Sequence, residues 1–403
     1  MLYRELLTTE LDKQRDDFRR FAASQASDLT DYLHKLKQLN ETPYAEIQKE
    51  LTDKNAGAIP SGELDESKTF SVSFAESWTN HEAARGWANE ILKNRTTFAA
   101  DGSQLYSERE VSLPVGAIQI GWFENPHDAT RRYEKNAYFE ILSPEVLLQE
   151  QQEPVNPETR VGERRFHAEV EKAGDFLRKK KGWRERGERM PLAFFDGTLL
   201  VSFSLPQTDL QETFIKRMVA LVKLSRETEV PIIGYVDRSY ARDLMNLLDT
   251  LAGAQTSKKQ TLYDANILHA STGNFSQTLT NWGDRTCFCF SKRQGLSAFL
   301  DEETGEPLVG FTYLQTTSEG APARIDVPAW IYEKGFLNEL LDVVRAECVI
   351  GLGYPYALET ADQTAVITMR DREIFLRALQ DFAQREKLNF NVSRKAESKG
   401  RRR

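Results

Sequence analysis

An α/β or α+β sheet domain is the fold class this sequence predicts, and three observations predict it. From about residue 91 onward, short apolar runs alternate with amphipathic stretches at helical spacing. Strands and helices mixed in that order build a sheet covered by helices. The chain has 403 residues, of which 40% are hydrophobic, so it can bury the core of one large domain or of two. It shows no internal repeat at a period of roughly 20–50 residues, which sets solenoids and propellers aside.

Taken in order, Phe18, Phe21, Ala22, Ala26, Leu29, Tyr32, Leu33 and Leu36 recur at helical spacing opposite a charged face. Residues 1–57 are therefore expected as a helical arm, packed on the core or forming half of a dimer contact. The Gly-, Pro- and Ser-bearing stretch that follows predicts a linker over 58–90. Strands are expected at 97–100, 115–123, 192–195, 199–204, 231–236, 286–290, 309–315, 323–327 and 347–353. Helices are expected at 161–181, 208–227, 238–253, 329–346 and 359–385. The sheet domain then covers 91–386. The stretch 387–403, ending SRKAESKGRRR, is basic and without apolar periodicity, the composition of a disordered tail.

Composition narrows the function. The net charge is −8, so any contact with nucleic acid must use local basic patches. The three cysteines, Cys287, Cys289 and Cys348, form no CxxC pair and are expected as small buried residues. The five histidines form no HxH or HExxH pair, which argues against a histidine-based zinc site. The chain carries no P-loop, GxGxxG or GxSxG motif. Its first residues lack the apolar core of a signal peptide, and no apolar run approaches the ~20 residues of a membrane span. A cytoplasmic location without membrane contact is the expectation.

Chemistry must then come from carboxylates. TTFAADGSQLY centres on Asp101, and PLAFFDGTLLVSF centres on Asp196. Asp-Gly between apolar runs is first of all a tight-turn signal. Alternatively, each Asp ends a buried strand where glycine admits a phosphate and the carboxylate holds a hard cation. Between them GERRFHAEVEKAGDFLRKKKGW places Glu169 at the border of a helical stripe, where a glutamate is ordinarily solvated. Farther on, CVIGLGYPYALETADQTAVI puts Tyr354-Pro355-Tyr356 before a helix bearing Glu359 and Asp362, which the helix dipole alone would explain. In the run Arg178–Arg189, the residues Arg178, Lys179, Lys180, Lys181 and Trp183 combine cations with an aromatic. That run is either a nucleic-acid contact or a solvated helix end.

The ordered set is more specific than any member. A strand with Asp-Gly-Ser, an Arg-x-x-x-Glu helix, a second Asp-Gly-Ser/Thr and a closing Gly-Tyr-Pro followed by an acidic residue resembles the NurA nuclease family over roughly 91–370. PIIGYVDRSYARDL and ARIDVPAW lie between these motifs and also look like the family. The resemblance implies an RNase H-like mixed sheet flanked by helices, and a Mn²⁺-dependent (or Mg²⁺-dependent) DNA nuclease. It implies 5′ exonuclease and single-strand endonuclease activity in end resection for double-strand break repair. It also implies a homodimer that works with a HerA-like hexameric translocase. By motif match Asp101, Glu169, Asp196 and Asp362 are the expected metal-binding carboxylates, and Tyr354 an active-site tyrosine. Asp362 stands where archaeal members carry histidine; it suits a hard cation as an oxygen ligand. The competing readings are a catalytically weak DNA-binding adaptor of the motor and a different metal phosphohydrolase.

Overall fold

The computed structural model describes residues 3–52, 54–106, 112–148, 156–201, 208–254, 262–270, 276–389 and 391. The chain divides into two compact units, one made of Met1–Ser77 with Val236–Ala329, the other of Trp78–Tyr235 with Trp330–Arg403. Among the described residues no helix is long and apolar enough to cross a membrane.

The second unit holds a five-stranded mixed sheet: Thr97–Leu105, Gly116–Asn125, Glu134–Leu142, Leu192–Asp196 and Ile232–Val236. Numbered in chain order, these strands stand 3-2-1-4-5. The first three form an antiparallel meander. The fourth pairs parallel with the first, and the fifth parallel with the fourth. This is the RNase H-like arrangement that the motifs imply. Burial follows pairing: Leu192–Phe195 lies between two strands and is wholly buried, whereas the edge strand Glu134–Leu142 is exposed along most of its length.

Two helices matter most to the sheet. Pro157–Lys180 starts at Asn156, whose side chain accepts the Glu158 N–H, and continues into Pro157 at its first position. Its stripe Val161, Ala168, Ala173, Phe176 and Leu177 is buried, and Phe176 stacks on Phe98 at 4.7 Å. Tyr356–Ala365 covers the other face of the first two strands. Parity shows the two faces: a Cβ at Gly102 would meet Glu169 of the long helix, and one at Gly121, opposite Asp101, would meet Thr364 and Ala365.

The other unit joins the N-terminal helices to Val236–Ala329. Tyr32, Leu33, Leu36, Leu39, Ile47 and Leu51 share one core with Leu244, Leu248, Cys289 and Phe311. The Tyr32 hydroxyl donates to buried Asp249 at 2.9 Å. Its strands Gly57–Pro60, Cys289–Lys292, Val309–Leu314 and Ala323–Pro328 pair antiparallel in that order. Buried Arg324 is neutralised by Asp243 at 2.6 Å and Asp326 at 2.7 Å.

Several expectations are corrected here. The helices Arg4–Lys13, Arg15–Glu41 and Tyr44–Leu51 do form, but from Tyr32 onward they are core; only Tyr3, Leu6, Leu7, Leu11, Phe18 and Phe21 stay exposed. Over 58–90, where a linker was expected, the chain forms the strand Gly57–Pro60, the short helix Glu63–Ser67 and the helix His81–Leu92. The Asn80 side chain caps the last of these by accepting the Ala83 N–H. The run 347–353 is no strand: Leu337–Ile350 is one helix, buried at Leu337, Leu340, Leu341, Val344 and Cys348. A short apolar run fits either period, and the stripe that precedes it decides for helix. The strand expected at 286–290 is broken into Arg285–Thr286 and Cys289–Lys292. Of the strand expected at 199–204, residues 199–201 are irregular and the rest lies outside the described residues, as does most of the basic tail. The strand Glu134–Leu142 was not anticipated, because its residues alternate too weakly in polarity. The three cysteines are free and buried.

If residues beyond Tyr32 are core and those before Phe21 are not, substitutions will separate them. Leu36→Ala should cost about 2–5 kcal/mol in chemical denaturation. Phe18→Ala should stay within about 0.5 kcal/mol.

Candidate active site

The site grows from a short parallel ladder. Thr97–Ala100 pairs residue for residue with Leu192–Phe195. The next residues are Asp101 and Asp196, so their backbones lie side by side about 4.8 Å apart. The two Asp-Gly steps then differ. Asp101-Gly102 runs straight on within a strand that reaches Leu105, so it is not a turn. Gly102 is needed because a Cβ there would strike the Glu169 carboxylate, Arg165 and Ile120. Gly197 does end its strand, at φ +111°, a backbone state that other residues rarely adopt.

Glu169 arrives from the long helix on the Gly102 side and is nine-tenths buried. Arg165, one turn earlier, donates to Glu169 Oε1 at 2.9 Å, to the Gly102 carbonyl at 3.0 Å and to Gln104 at 3.1 Å. It thereby pins helix to strand at the level of the carboxylates. Asp362 comes from Tyr356–Ala365 on the opposite face, and its charge acts on Asp101. That helix is held by buried Glu347, which accepts the Ala357 N–H at 2.9 Å and faces His127 Nε2 at 3.3 Å. The Tyr354 hydroxyl donates to Asp196 Oδ1 at 3.2 Å, and its ring meets Tyr235 edge-on.

Crowded carboxylates bind protons. Burial, then the charges of Asp196 and Asp362, push Asp101 up to about 6. Burial pushes Glu169 up to about 8, against the pull of Arg165. Among the described residues no set of three or more His, Cys, Asp or Glu side chains is arranged to hold a metal ion as it stands. The carboxylates associate in pairs instead. Their chemistry still suits a divalent cation: every donor is oxygen, and the proton affinity of Asp101 and Glu169 is what such a cation would relieve.

Asp101, Glu169, Asp196, Tyr354 and Asp362 thus all belong to one end of one unit. The basic run does not join them. Arg178 pairs with Asp175 at 3.3 Å and Lys179 with Glu124 at 2.7 Å. Lys180 is buried and donates to Thr96 at 3.1 Å, while Lys181 is exposed. The stacking role expected for Trp183 is corrected: its ring is only 8% exposed, and its indole N–H donates to the Glu229 carbonyl. Two positioning residues escaped the sequence reading. Arg165 was visible only as the first letter of Arg-x-x-x-Glu. Glu347 was visible as the first residue of an otherwise apolar run, ECVIGLG, which was assigned to a strand.

Comparison with known proteins gives a family. The NurA domain model matches residues 95–367. No match is found among curated proteins. Among solved structures, the human endonuclease V catalytic domain is 12% identical, covering 74% of this chain and 96% of that one, at a TM-score of 0.29. The endonuclease V of Ciona intestinalis, in complex with an inosine-containing DNA, is 9% identical over 74% and 96%, at 0.27. Argonaute of Aquifex aeolicus is 9% identical over 68% and 28%, at 0.26. At such scores these likenesses add nothing to what the strand order says.

Two outcomes follow. A methyl at Gly121 would lie 2.5 Å from the Ala365 nitrogen, so Gly121→Ala must push the helix bearing Asp362 off the sheet. It should cost about 1–3 kcal/mol in stability, and any hydrolytic activity should fall by more than the folded fraction does. Glu169 binds its proton more tightly folded than unfolded, so its contribution is complete below its ordinary range near 4.5 and is lost as pH rises to about 8. Metal-free protein should lose up to about 1.4 kcal/mol per pH unit from this group across that window. The Glu169→Gln variant, melted at pH 5 and pH 8, should show a smaller drop than the parent.

Proposed function

The chain belongs to the NurA nuclease family, and on that basis we propose that it is a metal-dependent deoxyribonuclease acting in DNA end resection for double-strand break repair. The activities we assign are 5′ exonuclease and single-strand endonuclease, with the protein working as a homodimer beside a HerA-like hexameric translocase. One observation supports this reading above the others. Asp101 and Asp196 leave adjacent parallel strands at the same end, with Glu169 packed over Gly102 and the Tyr354 hydroxyl on Asp196.

Asp101, Glu169, Asp196 and Asp362 would hold Mn²⁺ or Mg²⁺ there. Bound, such ions lower the pKa of water to make a nucleophile and neutralise the leaving oxygen of a phosphodiester. The rest is the chain's own work. Arg165 fixes the direction of Glu169 and satisfies the Gly102 carbonyl. Tyr354 orients Asp196 through its hydroxyl. Glu347 anchors the helix that delivers Asp362. Asp362, exposed to solvent and acting on Asp101 through its charge, would complete the ligand set from the opposite face.

Purified protein should degrade single-stranded DNA and nick plasmid in Mn²⁺, and stop on chelation. Asp101→Asn and Asp196→Asn should abolish cleavage with the melting temperature kept or raised, because each removes a repelling charge. Asp362→Asn should weaken Mn²⁺ affinity and slow the reaction, and Asp362→His should retain it. A wild type that binds DNA but leaves it intact in Mn²⁺ and Mg²⁺ would sink the enzyme assignment in favour of an adaptor.

A further inference from the structure

Next to the carboxylates the surface carries a run of aromatic rings that the catalytic reading does not use. It begins at Tyr354 on Asp196. Two residues on, Tyr356 is 38% exposed and sets its ring edge-on against Phe123 at 5.8 Å. Phe123 is buried, and on its other side Tyr133, 63% exposed, packs at 5.6 Å. Lys135 is the cross-strand partner of Phe123, so its side chain leaves the sheet on the same face, beside Tyr133. Lys135 and Arg132 are both exposed. Among the described residues neither has an ion-pair partner.

The other face of the same strand has the opposite character. Glu134 accepts the Trp122 indole N–H, and Glu140 takes the Arg164 guanidinium. One strand therefore sorts its charge: Glu134 and Glu140, already paired, on one side, and Lys135 on the other. The aromatic face is also the Asp101 face, since Asp101, Gly121 and Ala137 form one row across three strands. That row spans two interstrand steps, about 10 Å.

We propose that Tyr356 and Tyr133, packed on Phe123 and flanked by Lys135, form the track that a single DNA strand follows to and from the carboxylates. The chemistry selects that partner. Exposed rings with a cation beside them stack unpaired bases and neutralise the adjoining phosphates. A duplex keeps its bases stacked on one another and has no faces to offer. The track rests on the nuclease reading for its direction, yet binding can be measured apart from cleavage.

The experiment is fluorescence anisotropy of a short labelled oligodeoxythymidylate with full-length protein in Ca²⁺. Tyr133→Ala and Tyr356→Ala should each weaken binding roughly 5- to 150-fold, the equivalent of ~1–3 kcal/mol of stacking per base. Tyr133→Phe and Tyr356→Phe, which keep the ring, should bind like the parent. Lys135→Ala should lower the slope of log affinity against log salt by about 0.7. Alanine variants that stay folded and bind within about two-fold of the parent would overturn the track. So would variants that change the mass seen by light scattering, because the patch would then face a second copy of the chain. Hydrolysis of bis(p-nitrophenyl) phosphate by the wild type in Mn²⁺ reads the nuclease assignment separately. Hydrolysis with ring-insensitive DNA binding removes the track alone. No hydrolysis and no DNA cleavage, with ring-sensitive binding, removes the nuclease and leaves a strand-binding surface.

Discussion

Four residues of parallel ladder, Thr97–Ala100 against Leu192–Phe195, carry the rest of the catalytic unit. A parallel pair runs in one direction, so both strands deliver their next residue to the same end of the sheet. Those next residues are Asp101 and Asp196. Nothing in the attraction between these side chains would bring them together, because as carboxylates they repel. The backbone hydrogen bonds of the ladder and the burial of Phe98, Ala99, Phe194 and Phe195 hold the strands, and the strands hold the charges.

Everything added to that ladder has to approach it closely, and glycine sets how closely. Gly102 opens one face to Glu169 and Arg165; Gly121 opens the other to the helix that carries Asp362. Each helix is then locked by a polar contact: Arg165 bridges Glu169 and the Gly102 carbonyl, and Glu347 accepts from the first turn of Tyr356–Ala365. Burial first, and then the neighbouring carboxylate charges, let Asp101 and Glu169 retain protons well above the ordinary carboxylate range. On the proposed reading, a divalent cation bound there would release those protons and relieve the repulsion together.

The remaining charge is handled differently. In the unit built from Met1–Ser77 and Val236–Ala329, Arg324 is enclosed by Asp243 and Asp326, and Arg285 by Glu63. The basic end of Pro157–Lys180 spends its cations on Asp175 and Glu124. These pairs are structural, whereas Lys135 on the edge strand is exposed and, among the described residues, has no ion-pair partner.

The sequence by itself determined the family. Two Asp-Gly steps, an Arg-x-x-x-Glu helix and a Gly-Tyr-Pro turn, in that order, were legible as a resemblance to the NurA nucleases because side-chain identity and local spacing are written in the chain. Most helices, and the strands at 97, 116, 192, 232, 309 and 323, were legible for the same reason: hydrophobic period is local. The tertiary structure decided whatever depends on neighbours distant in sequence. Asp-Gly signals a turn in isolation, and only Glu169, packed over Gly102, shows why the glycine at that step lies within a strand. Trp183 among four cations looked like a nucleic-acid contact until Glu229 and the surrounding core claimed its ring. The helix ending at Ile350 passed for a strand until its whole stripe was buried. Burial and pairing are properties of the folded neighbourhood, and a one-dimensional pattern carries only half of each contact.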